Sequence, residues 1–530
     1  MKIPDWQQLP LKEQIAQMLV VRASGHLYDH QIRYPAWEAN SKQLEKWFSE
    51  LNLGGVILLG GSSVELKLKI QQLQGWAKTP LLIAADIEEG IGQRFPGGTW
   101  FPPPMALDEI YRHNPQLAIN YAYQMGLITA QEALAVGINW LLAPVVDVNN
   151  NPDNSVINIR AFGDRPEVVS SLTGAFIRGA KTTSVLTTAK HFPGHGDTVK
   201  DSHLDLPTLS HSESRLATVE LPPFIQAIAA QVDSIMTAHL LIPAWDRELP
   251  ATLSPKIITE KLRAQLGFTG LVVTDALIMG GIKHFADSEE LAIRAIEAGS
   301  DILLMPEDPE VVISGIYDAV QLGRISKRRI HQSLERIYQA KKQVFAIQNS
   351  VRELFDPQAQ KLVKGILQDS LSKSSVALNF HRQQDCRNLV VVDDVLNMPF
   401  LDLNSPSLII PEQFGYRRQI VDGDNLNYIL EDSRPTLLQV FIRGNPFRGH
   451  AGLTPQNQKL FQQLLAQQKV IGLAIYGSPY AWQWFKDIIK KDLPWVFSYG
   501  QMNQSQALAL SSLFTDNSGV IASSTQNFGF

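Results

Sequence analysis

A single cysteine, Cys386, in a chain of 530 residues excludes an intrachain disulfide, so the fold relies on packing and suits a reducing compartment. No apolar run approaches the roughly 18 residues that a membrane helix needs. The stretch from Met1 to Val20 sets Asp5, Lys12 and Glu13 where an export signal would carry its apolar segment. The expectation is a soluble cytoplasmic protein with no membrane contact. Basic blocks are missing too: 47 Lys plus Arg stand against 52 Asp plus Glu, a formal charge of -5, and nucleic acid is a poor partner for such a surface. Repeats and low-complexity tracts are absent. With 45% hydrophobic and 19% charged residues, the composition is that of an ordinary globular protein, and at roughly 100 to 200 residues per domain the length argues for two to four domains.

What is present is a recurring pattern of short β-branched runs separated by amphipathic stretches, as parallel strands covered by helices require. Eight such runs precede residue 306: Gln17 to Ala23, Gly55 to Leu59, Leu81 to Asp86, Ile138 to Ala143, Val185 to Lys190, Ser234 to His239, Leu271 to Asp275 and Asp301 to Met305. Helical patterns over Ser41 to Leu51, Gln116 to Val136 and Glu289 to Ala298 lie between them, the last stopping at Gly299. Eight β-then-α units predict an α/β fold of the (β/α)8 barrel type over residues 1–345, closed by a charged helix at Ser326 to Lys342. A helical connector is expected over 346–385. A smaller α/β sandwich follows over 386–530, with strands at Leu389 to Val392, Leu408 to Ile410, Leu437 to Ile442, Val470 to Tyr476 and Trp495 to Ser498 and a helix at Gln456 to Gln468.

In such a barrel the reactive groups sit at the C-terminal ends of the strands. Strand three ends in Asp86 and leads to Arg94. Strand four leads to Asp147 and Arg160, strand five ends in Lys190 and His191, strand six in His239 and strand seven in Asp275. A carboxylate set against cations can grip vicinal hydroxyls, each of which is donor and acceptor. Asp275, at the end of a rigid apolar strand, suits a nucleophile; capping of the next helix is the plain structural alternative. Asp147 reads mainly as a buried carboxylate bonded to loop backbone. Other signals are weaker. Gly54-Gly55 and Gly60-Gly61 fit tight turns rather than a phosphate loop, Gly477-Ser478-Pro479 lacks the second glycine of a nucleophile elbow, and Trp482, Trp484 and Phe485 fit core packing better than a carbohydrate platform.

The segment from Lys190-His191-Phe192-Pro193-Gly194-His195-Gly196-Asp197 to Asp201-Ser202-His203 is the densest in ionisable groups. Together with Asp86 to Arg94, Asn158-Ile159-Arg160-Ala161-Phe162-Gly163 and Val272-Val273-Thr274-Asp275-Ala276-Leu277, it resembles the family 3 glycoside hydrolases over about residues 10 to 340. Within them it is most similar to the bacterial β-N-acetylhexosaminidases that act on peptidoglycan fragments. The resemblance implies a retaining exo-β-N-acetylglucosaminidase that works without cofactor or metal. Asp275 is then the nucleophile, and His203 with Asp201 the acid/base dyad on a loop that Gly194 and Gly196 allow to move. Asp86, Arg94, Arg160, Lys190 and His191 line the N-acetylglucosamine subsite, with His239 nearby. An imidazole titrates near neutral pH and can both give and take the proton of the two half-reactions.

Two departures stand in the segment after strand three, where the family usually carries Asp-Gln-Glu-Gly-Gly-Arg. Glu89 replaces a glycine and Ile91 replaces the arginine, so Glu89 is expected to crowd or recharge the rim of the sugar site. Three other functions compete: a family 3 enzyme of different sugar specificity, a metal-dependent hydrolase using His191, His195, Asp197, Asp201 and His203, and a silent muropeptide-binding sensor. Lys190 beside the histidines disfavours the metal, and a pure binder has no use for both Asp275 and His203. The expected partner is a small carbohydrate; the sequence assigns no oligomeric state.

Overall fold

The computed structural model describes residues 3–198, 202, 205–346, 354–379, 385–393, 398, 400–422, 430–444 and 453–515. The chain packs as two compact units, one of residues 1–101, 115–151 and 160–359, the other of residues 102–114, 152–159 and 360–530.

The first unit is built on eight strands: β1 (Leu19–Ser24), β2 (Gly55–Leu59), β3 (Leu82–Ala85), β4 (Trp140–Leu141), β5 (Thr188–Phe192), β6 (Ser234–Thr237), β7 (Leu271–Thr274) and β8 (Leu303–Leu304). All pair in parallel, in the order β4-β3-β2-β1-β8 in one arc and β5-β6-β7 in the other. Isolated parallel bridges Trp140 to Leu186 and Val273 to Ile302 join the arcs, so the strands follow one another around a ring. This is the barrel that the eight apolar runs predict, with most strands shorter than their runs.

The ring is filled by side chains. Trp140 is fully buried, and its Nε1 donates to Thr188 Oγ1 at 2.9 Å and to Ser234 Oγ at 3.0 Å, so three consecutive strands satisfy the one polar atom of the indole. Helix starts are set by side-chain caps. Ser62 and Glu65 form a capping box on Ser63–Trp76, Asp287 caps Ser288–Ala298, and Asp308 caps Pro309–Gln321. Gly299, at φ 126°, ends the second of these helices where a side chain would be strained.

In the second unit, β9 (Ser372–Lys373), β11 (Arg387–Val391), β12 (Arg417–Val421), β13 (Thr436–Ile442), β14 (Val470–Gly477) and β15 (Trp495–Ser498) form a sheet of order β12-β11-β13-β14-β15-β9. Only β9 runs antiparallel. The short strands β10 (Leu378–Asn379) and β16 (Phe514–Thr515) pair apart from it. Leu408 to Ile410, expected as a strand, lies instead in the helix Pro406–Gln413. A three-residue apolar run does not distinguish a buried helix face from a strand, and Pro406 in the first turn has its φ already set for a helix. Trp482 packs on Trp495 with centroids 4.2 Å apart and Phe485 on Phe461 at 5.1 Å, so this aromatic group is core. Segment 152–159 packs within this unit as well: a Cβ on Gly444 would fall 2.9 Å from the Cβ of Asn158.

At the start of β8, Asp301 is fully buried and joins three elements of the first unit. One oxygen accepts from Arg263 Nη2 at 2.6 Å and from the Val272 amide at 3.0 Å; the other accepts from Ser333 Oγ at 2.8 Å and Arg336 Nη1 at 3.1 Å. Removing one partner of a buried ion pair leaves the remaining charges uncompensated, at a cost of about 3 to 5 kcal/mol. Asp301→Ala should therefore lower the stability of the first unit by that amount in denaturant titrations. A loss below about 1 kcal/mol, the scale of an exposed pair, would contradict this role.

Candidate active site

β3, β5 and β7 carry Asp86, Lys190, His191 and Asp275 at or just beyond their C-terminal ends, and the chain beyond β4 brings Asp147 and Arg160. Lys190 and His191 lie inside β5, so the strand backbone sets their direction. The Lys190 side chain is 1% exposed, and its Nζ donates to Asp86 Oδ1 at 2.7 Å and contacts Glu88 Oε1 at 2.6 Å. Arg160 grips the same Glu88 with two parallel bonds, Nε to Oε2 and Nη2 to Oε1, each 2.8 Å. Arg94 is exposed and donates from Nε to the Asp86 carbonyl at 3.1 Å. The structure thus brings Asp86, Lys190 and Arg160 together, with Arg94 at the backbone beside them.

The residue that sequence reasoning missed is Glu88. Burial alone would raise its pKa, but the Arg160 and Lys190 charges outweigh burial and hold the carboxyl well below the usual range. Burial likewise opposes the charge on Lys190, and Asp86 and Glu88 overcome it, raising the ammonium above its ordinary value. The available signal is proximity: Glu88 lies two residues after Asp86, in the turn that follows β3. Glu89, by contrast, is fully buried and accepts from Trp100 Nε1 at 2.9 Å. The expected crowding of the rim by Glu89 is not what the structure shows, because Trp100 offers its carboxylate a buried donor.

Asp147 has the structural role expected of it. One oxygen accepts from the backbone amides of His191 at 3.1 Å and His195 at 2.8 Å, and the other meets His191 Nδ1 at 2.8 Å. It therefore fixes both the chain beyond β5 and the His191 ring. His195 spans the following segment, with Nδ1 at 2.7 Å from Thr198 Oγ1 and Nε2 at 2.9 Å from Ser202 Oγ. Burial, then the nearby His191, pushes this imidazole down to about 4. Asp201 and His203, the expected acid/base dyad, lie outside the described residues. Gly196 does not supply the loop freedom expected of it: a Cβ there would fall 1.8 Å from the Val148 carbonyl oxygen, so the glycine permits a close backbone approach.

Asp275 directly follows β7. Its amide donates to the Thr237 carbonyl at 3.1 Å, and its Oδ1 accepts from the Ala276 amide at 2.8 Å, so both backbone and carboxylate are aimed. His239 was expected beside the sugar, but it is fully buried. Its ring sits between Thr252 Oγ1 at 2.9 Å and the Ala276 carbonyl at 3.1 Å, because a hydroxyl and a carbonyl under the strand end satisfy both nitrogens. The histidine holds the peptide next to Asp275. Of the histidines in the metal alternative, His195 has both ring nitrogens taken by hydroxyls, and His203 lies outside the described residues.

The profile of the glycosyl hydrolase family 3 N terminal domain matches residues 10–340, and that of the bacterial glycosyl hydrolase family 3 C-terminal domain matches residues 379–515. Beta-hexosaminidase A of Pseudoalteromonas piscicida is 34% identical over 330 residues, 56% of this chain and 55% of that protein, so the match spans about half of that relative. A beta-hexosaminidase of Alkalilimnicola ehrlichii is 37% identical over 264 residues, 49% of this chain and 75% of that protein. Among solved structures, a glycoside hydrolase family 3 beta-N-acetylglucosaminidase from Paenibacillus sp. str. FPU-7 superposes with a TM-score of 0.79 at 29% identity, covering 96% of this chain and 97% of that one.

The anchoring by Asp147 has a direct readout. Asp147→Ala leaves two buried amides without an acceptor, each worth about 1 to 3 kcal/mol, so the amides of His191 and His195 should exchange with deuterium at least about tenfold faster (one decade being ~1.4 kcal/mol) while those of β2 are unchanged. Unaltered protection at both amides would show that the carboxylate does not hold this segment.

Proposed function

Because the chain belongs to glycosyl hydrolase family 3, we propose that it is a retaining exo-β-N-acetylglucosaminidase that removes a terminal non-reducing N-acetylglucosamine from cell-wall fragments. The observation that carries this reading is Asp275, aimed from the end of β7 on the rim where Lys190, Asp86 and Arg160 gather beyond β3, β4 and β5. The beta-hexosaminidase relatives and the Paenibacillus beta-N-acetylglucosaminidase support the choice of sugar. No helix among the described residues is long and apolar enough to cross a membrane, which is compatible with action on small fragments in the cytoplasm.

In this mechanism Asp86 accepts from sugar hydroxyls while Lys190 and Arg160, held from behind by Glu88, donate to them. A carboxylate oxygen of Asp275 attacks the anomeric carbon; the bond to the aglycone breaks, and its electron pair goes to the departing oxygen. His203 protonates that oxygen, and Asp201 orients and charges the ring. The glycosyl ester on Asp275 is then opened by water, whose proton returns to His203. Two inversions retain the β configuration.

Asp275→Ala should lower kcat by more than tenfold, over ~1.4 kcal/mol in barrier, with an unchanged circular dichroism spectrum. Proton NMR of the first-formed wild-type product should show the β anomer. The α anomer appearing first, or a variant that keeps more than about a tenth of kcat, would overturn the assignment of Asp275. His203→Ala has its own signature. A dinitrophenyl glycoside, which leaves without a proton, should give a burst and then slow turnover, while a disaccharide is barely cleaved. Equal loss on both substrates without a burst would move the acid/base elsewhere.

A further inference from the structure

Apart from the rim, a second polar cluster is formed by Asp197, His211 and Glu220, whose ligand atoms all lie within 4.8 Å of one another. His211 Nε2 meets Asp197 Oδ2 at 2.8 Å. Among the described residues the cation that meets them is Arg215, and it is poorly seated: a single nitrogen, Nη2, stands 3.2 Å from Asp197 Oδ2 and 3.2 Å from Glu220 Oε1. A guanidinium that met either carboxylate well would use its fork. Here Arg215 Nε is buried with no partner, and so is Glu220 Oε2, on a side chain only 4% exposed. Burial pushes the Glu220 carboxyl up, as expected where one long contact with a shared cation is the main compensation.

One imidazole and two carboxylates form a donor set for first-row divalent transition ions, and the imidazole disfavours calcium and magnesium, which take oxygen. The charge also fits, because two carboxylates neutralise a divalent ion once the arginine has left. Arg215 has a route out, its side chain being 29% exposed. We propose that Asp197, His211 and Glu220 bind a zinc-like divalent ion in place of the Arg215 guanidinium. Its three ligands are not among the residues given a part in the glycosidase chemistry, although Asp201 and His203 lie between Asp197 and His211 in the chain, so the site is tested by metal binding and not by turnover. Asp197 and His211 already meet across 14 positions of chain, and Glu220 packs under Gly194, where a Cβ would come within 2.9 Å of the Glu220 Cβ. A bound ion would fasten Asp197, His211 and Glu220 to one another.

Equilibrium dialysis of the metal-free full chain against zinc chloride at neutral pH tests this. The wild type should retain one equivalent, and His211→Gln should lose it. Arg215→Gln should bind zinc at least about tenfold more tightly, because its competitor is gone, a difference of ~1.4 kcal/mol. This variant guards against the trivial explanation of misfolding, since it predicts a gain. Zinc retained equally by His211→Gln, no zinc retained by the wild type, or no tightening in Arg215→Gln would each overturn the proposal.

Discussion

Two cations, Lys190 and Arg160, stand almost out of water at the mouth of the barrel, and the carboxylate of Glu88 between them makes this possible. Lys190 is 1% exposed and Glu88 2%, so neither could keep its charge alone. With Glu88 ionised, both cations stay charged, and the Lys190 ammonium reaches Asp86 as well. The bidentate grip on Arg160 fixes the guanidinium plane as well as its place. The geometry of the rim therefore rests on a residue that stands behind Lys190 and Arg160.

A similar division runs through the rest of the rim. Asp147 holds His191 and the backbone beyond β5, His195 spans Thr198 and Ser202, and His239 pins the peptide that follows Asp275. Each supporting group is buried and satisfied, whereas Asp86 and Asp275 are only partly buried. Rigid support beneath partly open groups is the arrangement that lets a carboxylate be aimed before substrate arrives.

Much of this was legible along the chain. Eight apolar runs are enough for the barrel, and Asp86, Lys190 and Asp275, which close three of them, stand at its rim, because strand period and barrel geometry leave few places for such groups. Glu88 escaped notice since its meaning depends on Arg160, 72 residues away, and on Lys190 reaching the same point. The buried place of His239 is not legible in the sequence, because a strand-end position does not say which way a ring turns. The charge of Glu89 drew attention to the rim, yet a tryptophan donor 11 residues on, Trp100, decided its direction. In the second unit, Arg417 and Arg418 hid β12, an edge strand whose exposed side chains have no need to be apolar.

The dependence of the rim on Glu88 can be measured with Glu88→Gln, which keeps the shape and removes the charge. Burial still penalises the Lys190 ammonium in this variant, while one of the two carboxylates that raised its pKa is gone. The alkaline limb of kcat/KM for a chromogenic N-acetylglucosaminide should move to lower pH, and KM should rise at least about tenfold, ~1.4 kcal/mol of lost sugar binding. A variant with wild-type KM and an unmoved alkaline limb would show that the two cations hold their charge and aim without Glu88, and would contradict the account.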